Sequence, residues 1–303
     1  MDTLPTPLFL TFFLLLGVIV GSFLNVVAYR FHTGKSLNGR SHCLSCGGRL
    51  SWYELVPIVS YTLQLGACGN CRARISPQYV LVELATGLLF LLVGRLFYTD
   101  VPFLVLHLGV VSLLVVITVY DLRHFIIPDE LVLYLTALAL AIRLWDPIAR
   151  AVVIIPFDGI VGGLVPAGFF AGLWYISHGR WIGLGDAKLA LPLGLVVGLW
   201  GSISVVLFSF WIGAIVSVGL LLVQRISKRG VVFSRRSLTT ASEDQGTRSP
   251  VSYPSTGVAK HQRCFTMKSE VPFAPFLVCA FLLVAYAGAD AFAVVDTVLA
   301  YLF

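Results

Sequence analysis

Apolar residues run through this chain in long stretches separated by short polar ones. Eight stand out, at 8–28, 79–98, 103–121, 130–145, 157–177, 186–199, 201–223 and 274–300. A helix rising 1.5 Å per residue needs roughly 20 apolar residues to cross a hydrocarbon core about 30 Å thick. Lipid offers backbone N–H and C=O groups no partner, so stretches of this kind are read first as spanning helices. The pattern predicts an all-α polytopic membrane protein with about eight transmembrane helices. The residues before the first stretch carry Asp2 and neither Lys nor Arg, and no small-residue cleavage site follows it. It is therefore expected to stay as an anchor rather than be removed as a signal.

Two hydrophilic stretches interrupt the spans, and they differ in kind. Residues 29–78 hold four cysteines, aromatics and turn formers, which suits a small metal-stapled module without a sufficient core of its own. Residues 227–269 are rich in Ser, Thr, Arg and Gly and read as a flexible basic loop. The expected organisation is a first transmembrane helix (1–28), a cysteine-rich zinc-binding region (29–78), a transmembrane core (79–226), that loop (227–269) and a last transmembrane segment (270–303). Glycines four apart, Gly17/Gly21, Gly168/Gly172 and Gly194/Gly198, are expected to let helix backbones approach in lipid.

Composition agrees: 58% hydrophobic residues, 12% charged ones and a mean hydropathy of +0.91 exclude an ordinary soluble globule. Charge then orients the spans. Threading all eight with the N-terminus outside puts 18 of the 21 Lys and Arg residues inside, Arg143 and Arg150 outside, and Arg95 within a span. This asymmetry predicts both termini outside and both hydrophilic loops in the cytosol. The net charge of +6 follows the topology, helped by anionic lipid heads, and calls for no nucleic acid.

Cys43, Cys46, Cys68 and Cys71 form two C-x2-C pairs with 21 residues between them, close to the zinc-ribbon pattern. Each pair can supply two thiolates from one tight turn, with Gly47, Gly48 and Gly69 easing the chain around a tetrahedral ion. A reducing compartment disfavours two structural disulfides, so structural zinc is the leading expectation, with redox pairs or plain thiols as alternatives. Cys264 and Cys279 have no partner at useful spacing.

Two acids at span ends need an explanation, since a carboxylate in hydrocarbon costs about 2.5–3.5 kcal/mol on insertion scales. Asp121 ends the third span, and Asp186 opens the sixth within Gly183-Leu184-Gly185-Asp186. Both fall on the cytosolic side, so two carboxyls distant in sequence can meet at one depth. An aspartyl protease requires such a pair, one carboxylate taking a proton from water while its protonated partner polarises the scissile carbonyl. The plain alternatives are a helix N-cap for Asp186 and a topology-marking polar end for Asp121.

The residues quoted so far belong to a larger set. With Gly21-Ser22-Phe23-Leu24-Asn25, Trp52-Tyr53-Glu54-Leu55-Val56-Pro57, the segment around Glu83, Ile127-Pro128-Asp129 and Pro272-Phe273-Ala274-Pro275-Phe276, the chain resembles the prepilin peptidase family of Gly-x-Gly-Asp intramembrane proteases over nearly its whole length. The resemblance implies that Asp121 and Asp186 are the catalytic pair, with Gly183, Gly185, Lys188 and Asp129 in support. It implies type IV prepilins or pseudopilins as substrates, cut at the cytosolic face of the inner membrane. Retention of all four cysteines implies a second activity, N-methylation of the new terminus with S-adenosylmethionine, its donor site in the cysteine region near Gly66. Plainer roles remain for several of these: a cap of the fourth span for Asp129, an ordinary basic span end for Lys188, a turn for Gly66. Gln64-Leu65-Gly66-Ala67 lacks the basic residues common in the family before the second cysteine pair. A leader peptidase without methyltransferase activity, an ion-coupled transporter and a zinc-bearing scaffold are the competing functions.

Overall fold

The computed structural model describes residues 7–32, 41–43, 45–145, 154–235 and 272–294, with the side chains of 154–156 and 224–235 left aside. Among these residues the chain is helical, and β structure is confined to two isolated bridges. The helices are α1 (Pro7–Arg30), the short α2 (Val59–Leu63), α3 (Gln78–Phe97), α4 (Val101–His124), α5 (Asp129–Trp145), α6 (Ile154–Ser177), α7 (Leu184–Arg235) and α8 (Ala274–Ala287). Each of the eight apolar stretches is thus mostly helical where described, α7 carrying two of them. Five helices are long and apolar enough on their own to cross a bilayer: α1, α3, α4, most of α6, and α7 as far as Val223.

Two units make up the described chain. The first comprises 7–210 and 272–294, and the second holds the remainder of α7 from Trp211. In the first unit α4 is the central helix, packed against α1, α3, α5 and α8. Its Val110, Val111, Leu114 and Ile117 are fully buried. An N-cap starts it, the Asp100 carboxylate accepting Phe103 N–H at 3.1 Å. Phe125 stops it with φ +57, its N–H turned back to the Asp121 carbonyl.

Helices α1 and α3 meet through glycine. A Cβ on Gly17 would stand 2.6 Å from Phe90 Cβ, and one on Gly87 would stand 2.6 Å from Val18. The same close approach recurs between α6 and α7, where a Cβ on Gly194 would overlap the Gly162 carbonyl. Gly168 and Gly172, expected to pack likewise, face open space instead, because α6 turns Gly162 and Gly163 toward α7.

At Gly198 the backbone of α7 leaves helical geometry, with φ +77 and ψ −176. The junction predicted near residue 200 is this break. It orphans a carbonyl before it and an amide after it, and lipid satisfies neither. Arg143 of α5 donates its Nε to the Leu195 carbonyl, while Asp158 of α6 accepts Leu199 N–H at 3.2 Å. One basic residue and one acid, each from another helix, therefore mend a broken helix.

Two expected boundaries shift. Helix α7 continues through 227–235, where the basic loop was expected to begin, and the rest of that loop, with Glu270 and Cys264, lies outside the described residues. The last span, expected to run to residue 300, is interrupted after Ala287, where Gly288 adopts φ +67 and closes α8; residues 291–294 are helical again, and 295–300 lie outside the described residues.

A leucine at Gly194 is expected to cost about 1–3 kcal/mol through overpacking, whereas Gly168→Ala should be close to neutral. Thermal midpoints of the two variants in one detergent, set against the wild type, check this contrast.

Candidate active site

Asp121 sits in the last turn of α4 and is only 5% exposed. The Ala274 N–H donates to its carboxylate, while Oδ2 is buried with no hydrogen-bond partner among the described residues. Ala274 opens α8, so the amide is one of that helix's unpaired N-terminal donors and brings the positive end of its dipole with it. The Phe273 ring sets this position by packing between Phe170 of α6 and Phe210 of α7, with centroids 5.6 and 5.4 Å away. Sequence reasoning did not single out Ala274. The proline on either side of Phe273-Ala274 marked a helix start, but nothing in the chain says which carboxylate an N-terminal amide will meet.

Asp186 lies in the first turn of α7 and is 7% exposed. Its carboxylate reaches back to the Gly183 N–H, and its own N–H returns to the Gly183 carbonyl at 3.2 Å. This is half of a capping box, a side chain in the first turn satisfying an amide before it. Asp186 is thus within the turn rather than at the cap position itself. Gly185 explains its own identity, since a Cβ there would stand 3.2 Å from Ile127 in the 126–128 connection. That contact lays the α4–α5 connection over the start of α7. Asp121 and Asp186 come within electrostatic range of each other, as span ends on one side of the bundle.

Lys188 extends the same junction. Its Nζ bonds both oxygens of Asp129, at 2.8 and 3.0 Å, joining the first turn of α7 to the first residue of α5. The Asp129 carboxylate therefore goes to a lysine on another helix. His124 turns inward on its own helix, with Nδ1 against the Tyr120 carbonyl.

The cysteine insertion is attached at this same end. Arg123 lies 3.3 Å over the Tyr29 ring of α1 and bonds Gln78 Oε1 at the start of α3. Tyr29 in turn stacks on Tyr79, with ring centroids 5.1 Å apart. Asn25, fully buried in α1, donates to the Tyr79 carbonyl at 3.1 Å. Since α1 leads into the insertion and α3 leads out of it, the insertion and Asp121 share one end of the bundle. Glu83 faces the insertion, its Oε2 accepting Ile58 N–H at 2.8 Å with Ser22 beside it.

Within the insertion the two C-x2-C segments are copies of one knuckle, offset by 25 residues. Cys43 N–H bonds the Gly48 carbonyl and Gly47 N–H the Cys43 carbonyl; Cys68 pairs with Ala73 and Arg72 in the same way, and all four bonds are 2.9 Å. Isolated bridges His42 to Arg49 and Ala67 to Arg74 close both turns. The left-handed position after the second cysteine is Gly47 in one copy and Arg72 in the other, at φ +69 and +58. That difference hid the repeat from a reading of residue types. Gly66, at φ +68, ends α2 with its N–H on the Tyr61 carbonyl, and a Cβ there would press on the Tyr61 hydroxyl. It is a helix stop.

All four sulfurs lie within 4.8 Å of one another, and Cys43 and Cys71 are 3.9 Å apart. Two thiolates held by one tetrahedral ion at about 2.3 Å stand about 3.8 Å apart, so the cluster fits a metal. The N–H groups of Cys46 and Ser45 hold the Cys43 thiol down at about 6. At Cys71 the Ala73 N–H works in the same direction, but burial and the neighbouring sulfurs outweigh it and push that thiol up to about 11. Cys43 and Cys71 therefore shed their protons unevenly, and a cation among the four sulfurs relieves the conflict.

Residues 15–97 match the bacterial peptidase A24 N-terminal domain, and residues 108–218 match the type IV leader peptidase family. A prepilin leader peptidase/N-methyltransferase of Bacillus subtilis is 31% identical over 73% of this chain and 86% of its own length. The chain belongs to the type IV leader peptidase family. Its similarity to other proteins bearing that name includes one from Myxococcus xanthus, 37% identical over 71% of this chain, and one from Burkholderia pseudomallei, 34% identical over the same share. The match covers 64% of the Myxococcus protein and 77% of the Burkholderia one. No solved structure matches the chain. Within the leader peptidase family match, Asp121 and Asp186 both fall inside the second matched region, and all four cysteines inside the first.

Cobalt(II) titrated into the purified protein should bind one ion per chain and give the absorption of tetrahedral thiolate coordination. Cys46→Ser combined with Cys71→Ser should abolish it. Protons compete for the sulfurs, so occupancy should fall as the pH is lowered from neutral.

Proposed function

We propose that this chain is a membrane aspartyl endopeptidase that removes the leader from type IV prepilins or pseudopilins and methylates the new N-terminal amine. Asp121 and Asp186 are the catalytic pair. The observation that carries the assignment is that two buried carboxyls from different helix ends lie within electrostatic range of each other, each already holding one backbone amide. Two acids so close do not ionise equally, which leaves one to take a proton from the attacking water and the other to donate to the scissile carbonyl. The amides of Ala274 and Gly183 fix the two carboxyls in place, and Lys188 with Asp129 holds α5 against α7 beside them.

Orientation follows from the charge asymmetry: the insertion and the dyad face the cytosol, with both described ends of the bundle threaded so that α1 starts outside. A prepilin with its apolar helix in the same bilayer and its basic leader in the cytosol would then present the scissile bond at the depth of the dyad. Holding both reactants at one depth is itself a large part of catalysis.

Zinc is the metal we assign to Cys43, Cys46, Cys68 and Cys71. Four thiolates with tetrahedral spacing and no open position suit a structural ion that staples a module too small to fold on its own core. S-adenosylmethionine would supply the methyl group, bound by the insertion. The relatives' names carry this second activity, and the intact cysteine knuckles support it here.

Cleavage of a model prepilin in liposomes should fall by about 10²–10⁴-fold in both Asp121→Asn and Asp186→Asn, the range for losing a positioned acid or base. Mass analysis of the released product should show one added methyl group with the wild type. Retained cutting by both variants would overturn the dyad.

A further inference from the structure

The stretch between the two cysteine knuckles carries an apolar surface that the metal does not need. Trp52, Leu63 and Leu65 are 79%, 79% and 89% exposed, and Tyr53, Leu55 and Val59 are exposed beside them. Between Arg49 and Arg72 there is no Lys, Arg or Asp, and the one acid, Glu54, is turned back to accept Ser51 N–H at 2.8 Å. Such a surface in water would be a liability.

Its depth can be read from Glu83. This residue is the sixth of α3, about 7.5 Å along the helix from its start at 1.5 Å per residue. Twenty residues give α3 a length of about 30 Å, the thickness of the hydrocarbon core, so it has no length to spare and its first turn must lie at the boundary. Glu83 holds Ile58 N–H at 2.8 Å, so the middle of the apolar stretch is drawn down beside that first turn. At Ile58 the backbone makes a tight γ-turn, φ +61 and ψ −51, with Val59 N–H on the Pro57 carbonyl at 2.6 Å. That conformation is strained for a β-branched residue and persists only where its surroundings impose it. The turn throws the Trp52–Leu55 segment and α2 to either side of the Glu83 anchor.

We infer that residues 52–65 lie in the headgroup layer of the leaflet on the insertion side, their apolar side chains inserted among the lipids. The occupant of this surface is lipid. Its exposed face continues the lipid-facing surfaces of α1 and α3, where Phe23 and Leu81 are likewise exposed. Tryptophan and tyrosine concentrate at this level of a bilayer because one side of each ring system is apolar and the other polar. Arg49, Arg72 and Arg74, exposed on the two knuckles, flank the stretch with positive charge suited to anionic headgroups. The cysteine cluster accordingly lies against the membrane surface instead of projecting from it. Whatever the insertion acts on must reach it there.

The test uses the full chain in liposomes of phosphatidylcholine and phosphatidylglycerol. The emission of Trp52 is taken as the difference between wild type and Trp52→Phe, with lipids brominated near the headgroup end of their chains and with aqueous iodide. Bromolipid should remove most of the Trp52 emission and iodide little of it. Quenching by iodide alone would overturn the inference. So would protection from both quenchers, which would mean a protein cover. A photoreactive benzoylphenylalanine at Leu63 gives an independent reading: crosslinks to lipid are expected, and crosslinks to a second copy would defeat the proposal. Glu83→Leu removes the acceptor for Ile58 N–H and should make Trp52 markedly more accessible to iodide, whereas Glu83→Gln, which can still accept, should not.

Discussion

Hydrocarbon offers a polar group no partner, and most polar features of this protein answer to that. Where α7 breaks at Gly198, the freed carbonyl and amide are met by Arg143 and Asp158 from two other helices. Where acids lie at span ends, they are met by backbone amides. In a soluble protein a broken helix could be left to solvent. Here each break requires a residue elsewhere in the chain, so the polar positions of the spans are coupled over long sequence distances.

The same constraint assembles the site. A helix start exposes amides and a helix end exposes carbonyls, and the protein spends its amide-rich starts on its acids. The start of α8 faces Asp121, and the chain just before α7 faces Asp186. The glycines make this geometry possible. A Cβ at Gly185 would press on Ile127 at 3.2 Å, so the bare glycine lets the 126–128 connection lie close over the start of α7. The Lys188–Asp129 pair is more exposed and is worth correspondingly little to stability, so its value lies in where it places α5.

The cysteine insertion follows a different economy. It has too little core to fold by burial, and two copies of one knuckle converge on four sulfurs. Its attachment to the bundle is polar and aromatic, through the Arg123–Tyr29–Tyr79 stack and the Glu83–Ile58 bond. The first of these attachments uses Arg123, in the last turn of α4 that also carries Asp121. A small four-cysteine module and a buried carboxyl are thereby held at one end of one bundle.

Much of this was legible in the chain. Uninterrupted apolar length marked the spans because the bilayer demands it. Asp121, Asp186 and the four cysteines could be singled out because ionisable groups and paired thiols are costly or conspicuous where they stand. Other features depended on which groups meet in space. The chain did not reveal that Ala274 serves Asp121, that Asp158 and Arg143 repair α7, that Gly168 and Gly172 face outward, or that Ile58 is strained over Glu83. Nor did it show where the last helix stops, since Gly288 is as ordinary in a transmembrane helix as at its end. A hydrophobic pattern determines that a segment enters the membrane and roughly how far it runs. Only packing decides which face of it meets which neighbour, because a lipid-filled exterior is as apolar as the interior and leaves the pattern no preferred side.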